Sequence, residues 1–438
     1  MLNSKNYLLT DIISYDIITI EHLFGDFTDR IILHSDLNNF YASVECLYNP
    51  SLRNKPVAVT GDPEKRHGII LAKNYIAKSF GIKTGEPLWS AKQKCADIVF
   101  VKPDFKKYTR YSLLTHEIYK DYTDLVESFG LDECWLDISG SSLLFKDGVK
   151  TAHEIKNRIK HELGVTASIG VSYNKIFAKL GSDYKKPDAV TAIDRKNFKN
   201  IVWPLGIEEL LYVGRATLKK LRGRGCFTIG DLAAMPEETL ELMLGKNGLM
   251  LWCFANGLDE TPVRHFEQGA PIKSIGNSTT APRDLVNDDD VKITMLILCE
   301  SVAERLRDER LKCSTVQITL RDSGLLSFER QAPVAVTDVS SDIFKKAFEL
   351  YKKYKPEKPL RSIGVRAVGL VADDFCQSSL LADVERHHRL SSLERSVDTI
   401  RRRFGHFSVQ RAVMLTDPQL ADLNPKAEHT IHPESFLH

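Results

Sequence analysis

Three carboxylates stand at the ends of predicted strands, where side chains of this type can hold divalent cations. Asp132 and Glu133 are adjacent in VESFGLDECWLDIS, and Asp36 ends the apolar run IILHSD. Consecutive strand residues point to opposite faces, so the adjacent pair converges only where the chain turns, and Gly130 favours a hairpin there. Mg²⁺ prefers carboxylate oxygens, and two such ions about 3.5–4 Å apart can hold the attacking and leaving oxygens of a phosphoryl transfer. An Asp-Glu pair alone is also typical of an ordinary turn.

The size and composition of the chain describe a multidomain globular protein. Its 438 residues exceed one ordinary hydrophobic core, and 43% are hydrophobic while 27% are charged. The sequence contains no stretch of about 18 apolar residues, the length needed to cross a membrane, and no signal peptide is evident. We therefore expect a cytoplasmic protein. The eight cysteines show no CxxC spacing, which favours free thiols in a reduced compartment over a zinc site.

The net charge of +2 does not by itself indicate a nucleic-acid partner, because a polyanion is bound by clustered basic residues. One such cluster lies on a single predicted helix and its exit: Arg215, Lys219, Lys220, Arg222 and Arg224. A solvated helix face is the alternative interpretation.

Two segments of the chain repeat the same order of predicted elements. From residue 31 the pattern is a strand, the helix NFYASVECLY, an inserted stretch to about 104, and then helix, two strands, helix and strand. Without the insertion this order is β-α-β-β-α-β, which places Asp36 and the predicted hairpin on neighbouring strands. Residues 273–371 show the second copy, and the alternation in TVQITL indicates a sheet with one buried face.

Several segments together resemble a known family. HSDLNNFYASVE, NKPVAV, LAKNYIAKSFGIKTGEP, GLDECWLDIS, GVSYNKIFAKLGSDYKKPD and KSIGNS resemble, in order and spacing, the Y-family translesion DNA polymerases of the DinB/UmuC type. The resemblance implies an α+β multidomain fold, a right-hand polymerase with a ferredoxin-like palm, small fingers, a helical thumb and a βαββαβ little finger. It also implies an enzyme that copies past damaged template bases with low fidelity.

The resemblance divides the chain into segments. In chain order these are an N-terminal extension (1–30), the palm (31–38 and 105–194) interrupted by the fingers (39–104), the thumb (195–262), a linker (263–272), the little finger (273–375) and a C-terminal tail (376–438). The extension departs from the family, in which the first strand starts near the N-terminus, so its role stays unassigned.

The resemblance implies a catalytic centre with two Mg²⁺ ions. Asp36 and Asp132 would bridge the ions, and Glu133 would complete the site at the ion that activates the primer 3′-hydroxyl. Gly130 and Leu131 depart from the family, which usually has a serine before the acidic pair, and neither position supplies a ligand.

Four side chains match the nucleotide-binding positions of the family. Tyr41 would stack under the incoming sugar and exclude a 2′-hydroxyl as a steric gate, although an aromatic residue at a helix start is also typical of a core. Tyr75, Lys78 and Lys186 would contact the triphosphate, with Lys185 as the alternative to Lys186. Lys78 stands where arginine is commoner, which keeps the charge and loses the bidentate fork. Further matches, without an assigned chemistry, lie in SYNKIFAKL: Asn174, Lys175 and Lys179.

The predicted thumb contains LYVGRATLKKL, which resembles a helix-hairpin-helix. Such a turn offers backbone N–H groups and a helix N-terminus to a DNA phosphate, which implies DNA contacts from Gly214, Arg215 and Lys219. Tyr212 replaces the usual first glycine of the turn, which puts this phosphate contact in question.

The tail carries a five-residue match to the clamp-binding peptides of polymerases. Gln377, Leu380 and Leu381 lie in QSSLL, which resembles the Q-x-x-L-[LF] peptide, and a basic helix to Arg403 follows. A surface turn before an amphipathic helix is the alternative. The resemblance thus implies primer–template DNA, dNTPs and a sliding clamp as partners, with no membrane contact and a monomeric chain.

Two other functions stay open at this point. A non-catalytic DNA- and clamp-binding repair subunit would have no need of three converging acids. A nucleotide cyclase uses the same β-α-β-β-α-β sheet, but the thumb, the little finger and the clamp-like peptide would have no role in it. We therefore expect a DNA-directed DNA polymerase, which adds dNTPs to a primer 3′-hydroxyl.

Overall fold

The computed structural model describes most of the chain, namely residues 30–61, 68–141, 145, 147–266, 268, 272–373 and 384–425. The strands are, in chain order, β1 (Ile32–Leu37), β2 (Val57–Thr60), β3 (Ile70–Lys73), β4 (Val99–Val101), β5 (Val126–Ser128), β6 (Glu133–Asp137), β7 (Ala167–Ser172), β8 (Val190–Ile193), β9 (Ser274–Leu285), β10 (Leu311–Asp322), β11 (Ser327–Thr337) and β12 (Leu360–Ala372).

The helices are, in the same order, α1 (Phe40–Tyr48), α2 (Tyr75–Ser79), α3 (Leu88–Lys94), α4 (Phe105–Lys120), α5 (Gly148–Arg158), α6 (Lys175–Tyr184), α7 (Phe198–Val202), α8 (Arg215–Arg222), α9 (Ile229–Ala234), α10 (Glu237–Leu244), α11 (Lys246–Ala255), α12 (Asp288–Asp308), α13 (Ser340–Tyr354), α14 (Val384–Phe404) and α15 (Pro418–Ala421). The chain divides into two compact units, one of residues 1–38 and 110–268 and the other of residues 39–109 and 269–438.

The first unit is built on a five-stranded sheet in the order β5-β6-β1-β7-β8. The central strand β1 pairs antiparallel with β6 and with β7, and it is buried along its whole length. The predicted β-α-β-β-α-β order is present as β1, α4, β5, β6, α5 and β7. A short strand that the sequence pattern did not predict, β8, extends the sheet parallel to β7.

Helix α6 lies directly on this sheet and carries several residues of the site. Asn174 caps its start, because the Oδ1 atom accepts a hydrogen bond from a main-chain N–H of the first turn at 2.7 Å. Gly170 of β7 allows the close approach, since a Cβ atom there would lie 1.8 Å from the carbonyl oxygen of Ala178. The indole of Trp135 donates to Lys175 O at 2.9 Å, which ties α6 to β6.

Helices α7 to α11 form the remainder of the first unit around an apolar core. Thr228 and Asp231 form a capping box at the start of α9, in which each side chain binds the main-chain N–H of the other. In α8, Leu221 is buried in this core while Arg215 and Lys219 are exposed. The basic residues of α8 are therefore on the surface of the unit.

The second unit contains two sheets. Strands β3-β2-β4 form a small sheet with α2 and α3, in the stretch predicted as fingers. Strands β11-β10-β12-β9 form a larger sheet, and the predicted second β-α-β-β-α-β order is present as β9, α12, β10, β11, α13 and β12. Residues of β10 alternate between buried and more exposed positions, and α12 and α13 pack on the buried face.

The described part of the predicted tail packs against the domain formed by the larger sheet, α12 and α13. Several of its apolar residues lie in the same core as the larger sheet: Met414, Leu420, Ala421 and Leu423. Helix α14 contacts the domain through polar side chains, since Glu394 and Asp398 bind Arg307 of α12. Its apolar residues Leu393 and Phe404 are 58% and 66% exposed. Residues 384–425 are thus part of a folded domain.

In the described ranges, no helix is long and apolar enough to cross a membrane. The cysteines in those ranges are all free thiols, in agreement with the prediction from their spacing.

Candidate active site

The β5–β6 hairpin and the end of β1 bring the three predicted acidic residues together. Gly130 makes the hairpin turn with φ 105°, a conformation that glycine adopts readily. Leu37 N donates to Asp132 O at 2.9 Å and so joins the hairpin to β1. Asp36 and Glu133 lie opposite each other on paired strands, so their side chains emerge on the same face of the sheet. The predicted placement on neighbouring strands is confirmed.

Two lysines bind two of these carboxylates. Lys186 Nζ lies 2.6 Å from Asp36 Oδ2 and 2.7 Å from Asp183 Oδ1. Lys179 of α6 forms an ion pair and a hydrogen bond with Glu133. Across the described residues, no lysine or arginine lies within ion-pair distance of Asp132. Lys186 had been predicted as a site residue, whereas Lys179 had no assigned chemistry.

His34 lies two residues before Asp36 and is fully buried behind Glu133. Its Nδ1 atom is 2.8 Å from Ser182 Oγ, and the Ser182 hydroxyl lies 2.7 Å from Lys179 O. The Nε2 atom lies 3.3 Å from Glu133 Oε2. Burial lowers the pKa of His34 to about 4. The two-residue spacing from Asp36, which places both side chains on one strand face, could have indicated this residue.

Burial determines the charge of the carboxylates. It raises the pKa of Asp36 to about 7, against the attraction of Lys186. It also raises the pKa of Asp132 to about 6, and repulsion from Glu133 acts in the same direction. Burial alone would raise the pKa of Glu133 as well, but the hydrogen bond to His34 and the charge of Lys179 bring it well below its ordinary value. The three acidic residues, together with Asp183, outnumber the two lysines of the site.

The donor set fits hard divalent cations such as Mg²⁺. These ions take oxygen ligands, and a bound cation would stabilise the ionised forms of Asp36 and Asp132, whose pKa values burial raises. Over the part of the chain that the structure describes, no three His, Cys, Asp or Glu side chains form a closed ligand group. Asp36 and Glu133 instead bind Lys186 and Lys179.

Tyr41 lies in an aromatic cluster of the second unit. Its ring stacks on that of Tyr108, with centroids 4.3 Å apart and 10° between the planes, and meets Phe105 edge-on at 5.8 Å. Tyr108 OH donates to the buried Glu45 Oε1 at 2.7 Å. Phe40 is buried, whereas Tyr41 is partly exposed. Residues of α4, which no prediction had singled out, thus fix the orientation of the Tyr41 ring.

Tyr75 and Lys78 lie together on α2 of the small sheet. The Lys78 Nζ atom is 5.6 Å from the centroid of the Tyr75 ring, and Lys78 is exposed. Asn74 fixes the start of α2, because its Oδ1 atom accepts a hydrogen bond from Ala77 N at 2.9 Å. The structure thus brings two of the predicted triphosphate residues together in the second unit, while Lys186 joins Asp36 in the first.

The predicted DNA-binding residues lie at the start of α8. Gly214 is the residue before the helix, its carbonyl oxygen accepts a hydrogen bond from Leu218 N at 2.9 Å, and Arg215 and Lys219 are exposed. The predicted clamp-binding residues lie outside the described ranges: Gln377, Leu380 and Leu381.

Comparisons with known proteins agree with this geometry. A model of the impB/mucB/samB family matches residues 35–183, and a model of the C-terminal domain of that family matches residues 272–380. A DNA polymerase IV of Acetivibrio thermocellus is 56% identical over 391 residues, which are 89% of this chain and 98% of the relative. The chain belongs to the Y-family of DNA polymerases.

Other members of this family cover the chain to a similar extent. A DNA polymerase IV of Pelotomaculum thermopropionicum is 39% identical and covers 88% of this chain and 95% of its own length. DNA polymerase IV 2 of Bacillus subtilis is 36% identical, with 89% and 95% covered. A solved Y-family DNA polymerase chimera matches with a TM-score of 0.69 at 22% identity, over 78% of this chain and 99% of that chain. The predicted family and fold class are confirmed.

Proposed function

We propose that Asp36, Asp132 and Glu133 hold two Mg²⁺ ions at the centre where this chain joins a dNTP to a primer 3′-hydroxyl. As a Y-family member with relatives named DNA polymerase IV, the chain is a template-directed DNA polymerase of the translesion type. The observation that supports the metal assignment is the excess of carboxylates where β1 meets the hairpin. When bound, the ions lower the pKa of the primer hydroxyl and neutralise charge on the triphosphate.

The lysines of the site would then act on the nucleotide. Lys186 is bound to Asp36 and Asp183, and a cation on Asp36 would leave the Lys186 ammonium available to the β- and γ-phosphates. Tyr75 and Lys78 are proposed to bind the same triphosphate from α2. Lys179 keeps Glu133 ionised, since its charge lowers the pKa of that carboxyl.

A primer-extension assay tests this function. We expect the wild-type chain to extend a primer in Mg²⁺ on an undamaged template and past a damaged base, and Asp132→Ala to abolish extension while DNA binding persists. A wild-type chain that binds DNA without extending the primer would indicate a non-catalytic subunit. Formation of a cyclic nucleotide from a triphosphate alone would indicate a cyclase.

Tyr41 is proposed as the steric gate, because its partly exposed ring is held by stacking on Tyr108. Tyr41→Ala should open space for a 2′-hydroxyl and raise ribonucleotide insertion sharply relative to deoxyribonucleotide insertion, without a change in the metal site. Tyr41→Phe keeps the ring and is the matched control. An unchanged ratio of the two insertion efficiencies in Tyr41→Ala would place the gate elsewhere.

Partners are proposed from the surface residues and the sequence. Gly214, Arg215 and Lys219 would bind the DNA backbone from α8. A sliding clamp would bind through Gln377, Leu380 and Leu381. The chain itself is proposed to be monomeric and cytoplasmic. Replacing both leucines by Ala should remove stimulation by the clamp and leave basal extension on a short primer unchanged, whereas unchanged stimulation would show that QSSLL is not the docking peptide.

A further inference from the structure

Lys186 lies in a short loop, residues 185–189, that joins α6 to β8. Its ammonium binds Asp36 at the end of β1, a residue 150 positions earlier in the chain. A second hydrogen bond runs beside this contact, because Asp188 N donates to Asn38 Oδ1 at 2.8 Å, also across 150 positions. Asn38 and Asp188 each lie two residues beyond their counterparts in the first pair. The end of β1 therefore holds the loop at two points, and neither residue of the second point was predicted.

Asn38 is a fixed hydrogen-bond acceptor at the end of the sheet. It is 2% exposed, and its main-chain N donates to Thr166 O at 2.8 Å. Its Nδ2 atom donates to Ser168 Oγ at 2.9 Å, and Oδ1 accepts from Thr166 Oγ1 at 3.1 Å. Because a main-chain N–H can only donate, the atom that faces Asp188 N must be Oδ1. The contacts of Asn38 thus fix the position of the Asp188 main chain.

The carboxylate of Asp188 holds the loop from its other side. Oδ1 binds Lys156 Nζ and Oδ2 binds Lys160 Nζ, each at 2.7 Å. Lys156 belongs to α5 and is 9% exposed, and its ammonium also donates to Asp188 O at 3.3 Å. Hydrogen bonds between charged groups are the stronger ones in proteins. Asp188 is therefore joined to β1 through its N–H and to α5 and the residue Lys160 through its carboxylate.

We infer that Asn38 and Asp188 are positioning residues, which hold the Lys186 ammonium where the triphosphate of the incoming nucleotide binds. The inference rests on the proposed role of Lys186. A cation bound at Asp36 would weaken the ion pair that now holds the flexible Lys186 side chain. The hydrogen bond between Asn38 and Asp188 N does not depend on the charge of Asp36, so it keeps the loop in place. A donor that is already positioned loses less freedom when it binds the phosphates, which favours transfer.

A double-mutant cycle of Asn38 and Lys186 tests this inference, with the efficiency of single-turnover dNTP insertion in Mg²⁺ as the measurement. Lys186→Ala should lower this efficiency about 10- to 100-fold, the usual effect of one lost hydrogen bond to a charged group. Asn38→Ala should lower it about three- to tenfold, with unchanged affinity for a primer–template duplex. In the Lys186→Ala background, Asn38→Ala should change the efficiency by less than about twofold, because the group that it positions is already absent.

Three further variants separate positioning from a general loss of structure. Asn38→Asp keeps the acceptor for Asp188 N and should insert dNTPs within about twofold of the wild type. Asp188→Asn tolerates the φ of 54° at this position but loses the charge that binds α5, so it should lower the efficiency about threefold. That loss should disappear in the Lys186→Ala background. Asp147→Asn removes a carboxylate from Lys150 on the same helix and should leave insertion unchanged.

The possible outcomes are distinct. Losses from Asn38→Ala and Lys186→Ala that add in the double variant would overturn the inference, since residues that act through one group do not add. Wild-type insertion by both Asn38→Ala and Asp188→Asn would also overturn it. Normal insertion by Lys186→Ala would instead remove the proposed role of Lys186, and the inference with it. If Asn38→Ala does not fold, the cycle of Asp188→Asn with Lys186→Ala decides, because Asp188 is partly exposed.

Discussion

Two buried charge clusters, one in each compact unit, differ in how completely they are neutralised. In the second unit, the Arg307 side chain is 4% exposed and binds both carboxylate oxygens of Asp398, at 2.7 and 3.0 Å. It also donates to Glu394 Oε2 at 2.6 Å and to the main-chain oxygen of Asp338 at 2.7 Å. Glu394 in turn accepts hydrogen bonds from the main chain and hydroxyl of Ser340. Every charge in this cluster has an opposite charge or a hydrogen-bond donor beside it.

In the first unit, two lysines face a larger set of carboxylates, namely Asp36, Asp132, Glu133 and Asp183. The pKa values show the difference. Burial raises the pKa of Asp36 and of Asp132, whereas His387 and Arg307 lower the pKa of Asp338 in spite of its burial. A balanced buried cluster holds helices together, whereas in an unbalanced one protons or a bound cation must offset the remaining carboxylates. The imbalance therefore distinguishes the cluster proposed as catalytic from the structural one.

The largest expected effect is on catalysis by the unbalanced cluster. Asp132→Asn should lower the single-turnover rate of dNTP insertion in Mg²⁺ by several orders of magnitude, because a shared ligand of the proposed ions is lost. Its free energy of unfolding at pH 8 should not fall, since a half-buried carboxylate without an ion-pair partner is removed. Asp183→Asn, which removes a more exposed carboxylate from Lys186, should have a much smaller effect on the rate. Comparable insertion rates for Asp132→Asn and Asp183→Asn would contradict the proposal that Asp132 is a metal ligand and Asp183 is not.

The next effect is on the stability of the balanced cluster. Arg307→Ala leaves the buried Asp398 without its cation, so it should lower the free energy of unfolding by about 3–5 kcal/mol. Arg402 forms an exposed ion pair with Asp308 at 2.6 Å, and Arg402→Ala should cost less than about 1 kcal/mol. Urea unfolding of the two variants makes the comparison. Equal losses would show that the buried pairs of Arg307 contribute no more than a surface pair.

The pH dependence of stability should follow the imbalance. The pKa of Asp36 rises from its ordinary 3.8 to about 7, so the folded chain binds more protons than the unfolded chain over that range. Without divalent cations, the free energy of unfolding should therefore fall by roughly 2–4 kcal/mol as the pH rises through this window. Asp36→Asn should reduce the slope and leave the smaller part that comes from the raised pKa of Asp132, as measured by urea unfolding from pH 4 to pH 8 in EDTA. The same slope in the variant would assign it to other groups.

A smaller pH dependence of stability is expected near Arg307, where favourable contacts with carboxylates, and not burial, raise the pKa of a histidine. The pKa of His387 is raised to about 9 by its contacts with Asp338 and Asp342, at 3.5 and 3.7 Å. The contribution of protonated His387 to the free energy of unfolding is fully present below about pH 6.5 and is lost as the pH rises through about 9. It should amount to less than about 1 kcal/mol, because the imidazole is partly exposed. His387→Gln should remove this slope and its neighbour His388→Gln should keep it; equal slopes would exclude His387.

The acidic centre of the site could be predicted because local rules determine it. Turn chemistry at Gly130 and strand periodicity place Asp36 beside the hairpin, and the motifs supply the roles. The short strand β8 was missed, since four residues are too few to show alternation. The contact of His34 with Ser182 was also missed, because it joins residues 148 positions apart that meet only after α6 packs on the sheet.

The orientation of α14 could not be predicted from hydrophobic spacing either. Leu393, Ile400 and Phe404 recur at helical intervals, which favours burial of that side, yet all three are exposed. Asp398 is 3% exposed and faces Arg307 instead. Ion pairs across distant segments decide this packing, and a periodicity pattern carries no information about them. The left-handed conformation of Tyr212 is similar, because a tyrosine gives no local indication of positive φ.

Stabilisation by Mg²⁺, in the absence of nucleotide and DNA, tests the central claim most directly. The measurement is the midpoint of urea unfolding at pH 8, in EDTA and in about 10 mM MgCl₂, for the wild-type chain, Asp132→Asn and Arg402→Ala; a ligand that binds the folded state alone raises this midpoint. The account predicts that Mg²⁺ stabilises the wild type and Arg402→Ala to the same extent and stabilises Asp132→Asn much less. Equal stabilisation of all three chains, or none in the wild type, would contradict the assignment of the unbalanced carboxylates as the metal site.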